Sequence, residues 1–194
     1  MFANLREWYE RKTVKLGRLL AATGMTPNRI TLLSLIPASA SLFLSARGML
    51  AEGLALFLIA IFMDVLDGSL ARALNMETRF GKLLDHFTDR CIESLYLIGL
   101  TAGHYIPAWM GALAVLADIS PSYIRARGEA ELKVKARAVG LFERKEKIAV
   151  MTIGSIAEII RQGSAMPAIA VLILGSFVTS VQRLIFFKKA ECKT

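Results

Sequence analysis

Long apolar runs alternate with short polar breaks along this chain. The runs cover about residues 28–46, 52–74, 81–103, 107–125, 146–161 and 165–187. Most approach the ~20 residues that a helix needs to cross a bilayer. Gly48 with Glu52, His104 with Pro107, and Arg161 to Ser164 mark short breaks. Arg72 to Phe80 and Arg125 to Lys147 are longer polar connections, and Pro27 is suited to open a helix. Residues 2–22 mix Phe2, Leu5, Trp8, Tyr9 and several leucines with Arg6, Arg11, Lys12, Lys15 and Arg18. Such a segment reads as an amphipathic helix in the membrane interface, or as a plain basic leader. The pattern predicts an all-α polytopic membrane protein forming one domain over residues 1–194. An N-terminal interfacial helix precedes a bundle of six transmembrane helices over residues 28–187.

Composition agrees. The 194 residues are 55% hydrophobic, and the mean hydropathy of +0.50 is too apolar for an ordinary soluble domain. The net charge of +8 reads as loop charge facing anionic headgroups, with no aromatic-interleaved basic stripe for nucleic acid. Of the 24 lysines and arginines, 21 fall at the termini, in Arg72–Lys82 or in Arg125–Lys147. Six spans with both termini cytoplasmic put all of these on one side, as the positive-inside rule requires. Cys91 and Cys192 show no metal spacing or disulfide framework, and charges precede the first apolar run, so no signal peptide is visible.

Against this background, Asp64, Asp67, Asp85 and Asp89 stand out. Charges at bilayer depth cost at least ~2.5 kcal/mol each, so four need neutralisation. Asp64, Asp67, Gly68 and Ala71 share one helix face, and Gly81, Asp85 and Asp89 share a face of the next helix. Asn75 and Thr78 suit the stop and the cap between them. Asp67 and Asp89 each lie about 12 Å from that turn at ~1.5 Å per residue, so the carboxylates meet at one level. Counted as four carboxylates with no Cys or His between them, the set reads as a hard, oxygen-only site that suits Mg²⁺, Mn²⁺ or Ca²⁺ rather than zinc, and two dications would balance four charges and clamp a phosphate. Gly68 and Gly81 leave room for a ligand, and Arg72 and Arg79 could grip phosphate at the rim.

The pattern D-x2-D-G-x2-A-R-x8-G-x3-D-x3-D resembles the signature of the CDP-alcohol phosphotransferases. Asp64, Asp67, Gly68, Ala71, Arg72, Gly81, Asp85 and Asp89 fill it without departure. The resemblance implies a CDP-linked donor, an acceptor hydroxyl that displaces CMP, two divalent cations (Mg²⁺ or Mn²⁺) and a homodimer. It implies metal binding by Asp64, Asp67, Asp85 and Asp89, with Asp89 also the general base. It implies a CMP pocket of Asp67, Gly68, Ala71, Arg72 and Gly81. Ser122–Arg127, Phe142–Lys147 and Gln182–Leu184 further resemble the phosphatidylinositol-phosphate synthase branch. That branch grips the phosphate of inositol phosphate with basic residues. The matching positions are Arg125 and Arg183, with Lys147 where the family has arginine and Arg144 as a nearby substitute. A lysine there lacks the bidentate fork.

Rival readings keep the chemistry and change a substrate: glycerol 3-phosphate as acceptor, or CDP-inositol as donor. An intramembrane cation transporter would use the acids but not the Gly68, Ala71, Arg72 and Gly81 spacing. A membrane-anchored binding protein would need no acid cluster. Glu93 reads as support for the site or as a partner of Arg90, and Asp118 and Glu158 read as structural partners. Gly99 and Gly103 form a small-residue packing face, a candidate dimer seam.

Overall fold

The computed structural model describes residues 25–74, 76–136 and 139–192. Among them the structure is all-helical: α1 Pro27–Leu33, α2 Leu35–Ala46, α3 Leu50–Ala73, α4 Arg79–Ala102, α5 Ala108–Leu132, α6 Arg144–Ile160 and α7 Ala165–Glu191. The amphipathic segment over residues 2–22, Trp8 included, and the stop signal at Asn75 lie outside the described residues.

α1 opens on Pro27 at its first position, where a missing N–H leaves no helical bond unmade. α1 and α2 form one rod, Pro27–Ala46, interrupted at Ser34. Pro37 explains the interruption, because it cannot donate to the carbonyl four residues back at Leu33. Ser34 bridges the gap: its N–H donates to the Ile30 carbonyl at 3.0 Å and its Oγ to the Thr31 carbonyl at 2.6 Å. Gly48, at φ +83°, turns the chain into α3. α3 then packs tightly on α2. A Cβ at Gly53 would fall 2.1 Å from Ser45 Oγ, and Ser41 Oγ donates to the Gly53 carbonyl at 2.6 Å.

α4 starts at a capped turn, where Thr78 Oγ1 accepts from the Gly81 N–H at 2.8 Å. Its far end packs on α2 of the same chain. A Cβ at Gly99 would lie 2.9 Å from Leu42 Cα, and one at Gly103 2.2 Å from the Ser45 carbonyl oxygen. The Gly99 and Gly103 face is therefore an internal helix contact and not the dimer seam the spacing suggested. α5 runs on to Leu132, past the break predicted at Arg125. Ion pairs Arg125–Glu129 and Arg127–Glu131, one turn apart, support this polar extension. α6 opens with a reciprocal cap between Glu143 and Glu146. α7 lies along α5 and α6.

The core holds a Phe57–Tyr96 stack with ring centroids 4.2 Å apart, surrounded by Leu54, Ile92, Leu97, Met151, Ile169 and Leu172. Tyr96 donates to Ser155 Oγ at 2.5 Å, which links α4 to α6. Many large apolar side chains face outward instead, among them Ile36, Phe43, Phe62, Phe87, Trp109, Leu116, Ile153 and Leu174. Such a surface suits lipid. Among the described residues, three rods are long and apolar enough to cross a membrane by length and composition: Pro27–Ala46, Leu50–Ala73 and Ala165–Glu191. α4 carries Asp85, Asp89, Arg90 and Glu93 within its length, α5 ends in charged turns, and α6 spans only 17 residues.

Candidate active site

The four aspartates come from the two helices that flank the Thr78 turn: Asp64 and Asp67 from α3, Asp85 and Asp89 from α4. One carboxylate oxygen each from Asp64, Asp67 and Asp85 lies within 4.8 Å of the others. Asp64, Asp67 and Asp89 are buried, whereas the Asp85 side chain is 39% exposed. Asp64 Oδ1 is buried with no hydrogen-bond partner among the described residues. An orphaned oxygen among three converging carboxylates fits a divalent cation and its preference for oxygen ligands. Sequence reasoning counted only carboxylates and passed over His86. A His86 ring nitrogen, with oxygens of Asp85 and Asp89, forms a second group within 4.8 Å. His86 Nδ1 lies 3.9 Å from Asp85 Oδ2 on an exposed side chain, so a nitrogen donor borders the cluster.

Thr31 was also missed. Its hydroxyl donates to Asp67 Oδ2, fixing the carboxylate from α1. The signal was present in sequence as a threonine one turn after Pro27.

Two cavities flank the cluster. The first, about 270 Å³, is lined by Pro27, Asn28, Thr31, Asp67, Gly68, Ala71, Arg72, Gly81 and Asp85. The two glycines act differently there. A Cβ at Gly68 would meet only the Arg72 guanidinium at an ordinary 3.4 Å, so the missing side chain keeps the cavity open. A Cβ at Gly81 would crowd Thr78 Oγ1 at 2.9 Å and Asn28 Oδ1 at 3.1 Å, so the helix cap itself requires glycine. Arg79, proposed at the rim, is the first residue of α4.

The second cavity, about 360 Å³, is lined by His86, Asp89, Arg90, Pro121, Ser122, Arg125, Phe142, Arg144, Lys147 and Arg183, among others. It gathers all four basic residues of the predicted acceptor pocket, each with partners inside the protein. Arg125 Nε pairs with Glu129 at 3.0 Å. Burial alone would raise the Glu129 carboxyl, but the hydrogen bonds from Arg125 and the Ala136 N–H, with nearby positive charge, hold it below the ordinary carboxylate range. Arg183 donates to the Pro121 carbonyl at 2.6 Å and the Val139 carbonyl at 2.9 Å, tying α7 to α5 and to the segment before α6. Lys147 is buried and donates to Asp118 through its carbonyl at 2.7 Å and its Oδ1 at 3.0 Å. Arg144 reaches Asp64 Oδ2 at 2.7 Å, Asp89 Oδ1 at 2.6 Å and Glu93 Oε1 at 3.0 Å.

Beneath this cavity lies a charge network that sequence only hinted at. Arg90 pairs with Glu93 at 2.7 Å and with Asp118 at 3.0 Å. Glu93 and Asp118, both fully buried, thus take their cationic partners from two helices, Arg90 on α4 and Arg144 and Lys147 on α6. Glu158 instead accepts from the Gly163 and Ala165 N–H groups and shapes the α6–α7 turn. A third cavity, about 660 Å³, lies at that opposite end and contains none of the four aspartates.

A helical bundle with clustered carboxylates between an open glycine-lined cavity and a cationic one has the charge arrangement of a phosphoryl-transfer protein. Residues 24–182 match the CDP-alcohol phosphatidyltransferase family, and the chain belongs to it. It is 38% identical over 158 residues to an archaetidylinositol phosphate synthase of Methanothermobacter thermautotrophicus, covering 81% of this chain and 80% of that one. The crystal structure of Mycobacterium tuberculosis phosphatidylinositol phosphate synthase with CDP-DAG bound superposes with a TM-score of 0.81 at 27% identity, covering 91% of this chain and 94% of that one. The same enzyme in complex with manganese and citrate gives a TM-score of 0.79, also at 27% identity, covering 90% and 88%. The chain is a transferase of phospholipid synthesis, similar to the phosphatidylinositol-phosphate synthases.

Proposed function

We propose that the chain transfers a phosphatidyl-type group from CDP-diacylglycerol or CDP-archaeol to a hydroxyl of inositol phosphate, releasing CMP. The observation that carries this reading is the division of the aspartates between the two cavities. Asp67 and Asp85 line the glycine-bordered one, and Asp89 lines the cationic one. Asp64 joins the two sets, converging with Asp67 and Asp85 and sharing Arg144 with Asp89. A nucleotide pyrophosphate and a phosphorylated alcohol can therefore meet at the acids from opposite sides.

In this reading Asp67, Gly68, Ala71, Arg72 and Gly81 hold the CMP half of the donor. Arg125, Arg183 and Arg144 orient the acceptor phosphate, with Lys147 placing the Asp118 wall behind them. Asp64, Asp67, Asp85 and Asp89 would hold two divalent cations, Mg²⁺ or Mn²⁺, which supply charge neutralisation for the pyrophosphate and the departing phosphate. Asp89 takes the proton of the acceptor hydroxyl. The hydroxyl oxygen bonds to the lipid-side phosphorus as the bond from that phosphorus to CMP breaks. The two relatives named above act in the same sense by their names, one in archaetidylinositol phosphate synthesis and one with CDP-DAG bound. The positive-inside bias supports six spans with both termini and the site on the cytoplasmic face.

The test is a substrate panel on purified protein. CDP-diacylglycerol, CDP-archaeol or CDP-inositol is paired with labelled inositol phosphate, glycerol 3-phosphate, serine or inositol, with Mg²⁺, Mn²⁺ or chelator. CMP release that needs a divalent cation and is greatest with inositol phosphate is expected. Preference for phosphate-free inositol, or undiminished transfer under chelation, overturns the reading.

A further inference from the structure

Arg144 belongs to both halves of the site. It lines the cationic cavity, yet its guanidinium rests on Asp64, Asp89 and Glu93. Its helix does not hold it there. Arg144 is the first residue of α6, where the helix dipole disfavours a cation. The carboxylates hold it, and the contact with Asp89 is ionic, without hydrogen-bond geometry at Asp89 Oδ1. The side chain is 29% exposed against 3% for Lys147, so Arg144 has room to move where Lys147 does not.

We propose that Arg144 couples divalent-cation binding to acceptor binding by moving between the aspartates and the acceptor phosphate. This rests on the site reading given above. A dication held by Asp64 and Asp89 competes with the guanidinium for their negative charge. A phosphate dianion in the cationic cavity competes with those carboxylates for the guanidinium, and the bidentate fork suits it. Phosphate therefore releases Asp64 and Asp89 to the cation. By linkage the cation raises affinity for phosphate by the same factor. Glu93 keeps a partner when Arg144 leaves it, because Arg90 stays on it at 2.7 Å. Lys147 cannot substitute, being fixed on Asp118. An alcohol without phosphate leaves Arg144 where it is.

The experiment measures Mn²⁺ affinity of the full chain in nanodiscs from the EPR signal of free Mn²⁺. It compares no addition, inositol phosphate and inositol, corrected for chelation by the ester itself. In the native chain inositol phosphate tightens Mn²⁺ binding by about fivefold or more, the low end of measured coupling, and inositol does not. Arg144→Gln binds Mn²⁺ more tightly than the native chain without ester and gains nothing further from it. An unchanged or weakened Mn²⁺ affinity in folded Arg144→Gln, or an ester effect that survives the substitution, overturns the proposal. Should Arg144→Gln not fold, the native chain decides: coupling confined to the phosphate ester supports the proposal, and equal coupling to inositol overturns it. A native chain that binds no Mn²⁺ overturns the metal reading itself, and the coupling with it.

Discussion

Thr31 donates its hydroxyl to Asp67 Oδ2, so the first helix of the rod Pro27–Ala46 sets the orientation of a carboxylate on α3. Thr31 itself is anchored, since its Oγ1 also lies 3.1 Å from the Pro27 carbonyl. Thr31→Val keeps the shape and removes the donor. A hydrogen bond to a charged group contributes about 1.5 kcal/mol or more, or roughly tenfold in rate. The expected result is a drop of about that size in kcat/KM with the fold intact, read from CMP release and detergent thermal stability. Unchanged kinetics would show that Asp67 needs no such support.

Asp89 lines the cationic cavity, while Asp67 and Asp85 line the other one. Asp89→Asn should keep CDP binding, since the donor cavity is untouched, and lose turnover by about 10²–10⁴-fold, the span of general-base contributions. Calorimetry with CDP and initial rates with a saturating donor separate the two effects. Near-normal turnover removes the base assignment.

Two glycine substitutions should behave differently. Gly68→Ala adds a methyl at an ordinary distance from Arg72 and should fold normally while weakening CDP binding. Gly81→Ala presses on Thr78 and Asn28 and should lose stability through the α4 cap, by about 1 kcal/mol. Thermal unfolding in detergent beside CDP titration checks both. Equal stability losses would contradict the distinction.

Lys147 and Asp118 form a buried pair, their side chains 3% and 0% exposed. Lys147→Met strands part of the Asp118 charge on Arg90 and should cost roughly 3 kcal/mol, the low end for a broken buried pair. Asp118→Asn in the same background should recover much of the loss. Simple addition of the two effects in a double-mutant cycle would show that the pair is not coupled.

Sequence carried most of the helix ends, because apolar runs stop where glycine, proline and charge begin. The run read as 81–103 is Arg79–Ala102, and the one read as 146–161 is Arg144–Ile160. The Ser34 break had a signal that was passed over, because Pro37 falls in the middle of the run read as 28–46, where a proline interrupts a helix. The extension of α5 to Leu132 was hidden by treating a polar stretch as a loop, although Arg125–Glu129 and Arg127–Glu131 have helical spacing.

In the site, the aspartates were legible because four acids in apolar runs demand a common explanation. The partners of the basic residues were not. Lys147 meets Asp118 across 29 positions and Arg144 meets Asp64 across 80, and no local pattern encodes such pairings. Gly99 and Gly103 illustrate the same limit: small-residue spacing announces a close helix contact without saying whether the partner is another chain or α2.

The two-sided arrangement of the cavities also bears on the order of events. In the proposed reading donor and acceptor would enter by separate doors, so neither would have to leave before the other arrives. In this reading no side chain stores the lipid phosphate in between. Initial-rate plots with both substrates varied should thus show intersecting lines, the mark of a ternary complex, where a shuttle through a covalent lipid–enzyme adduct would give parallel ones.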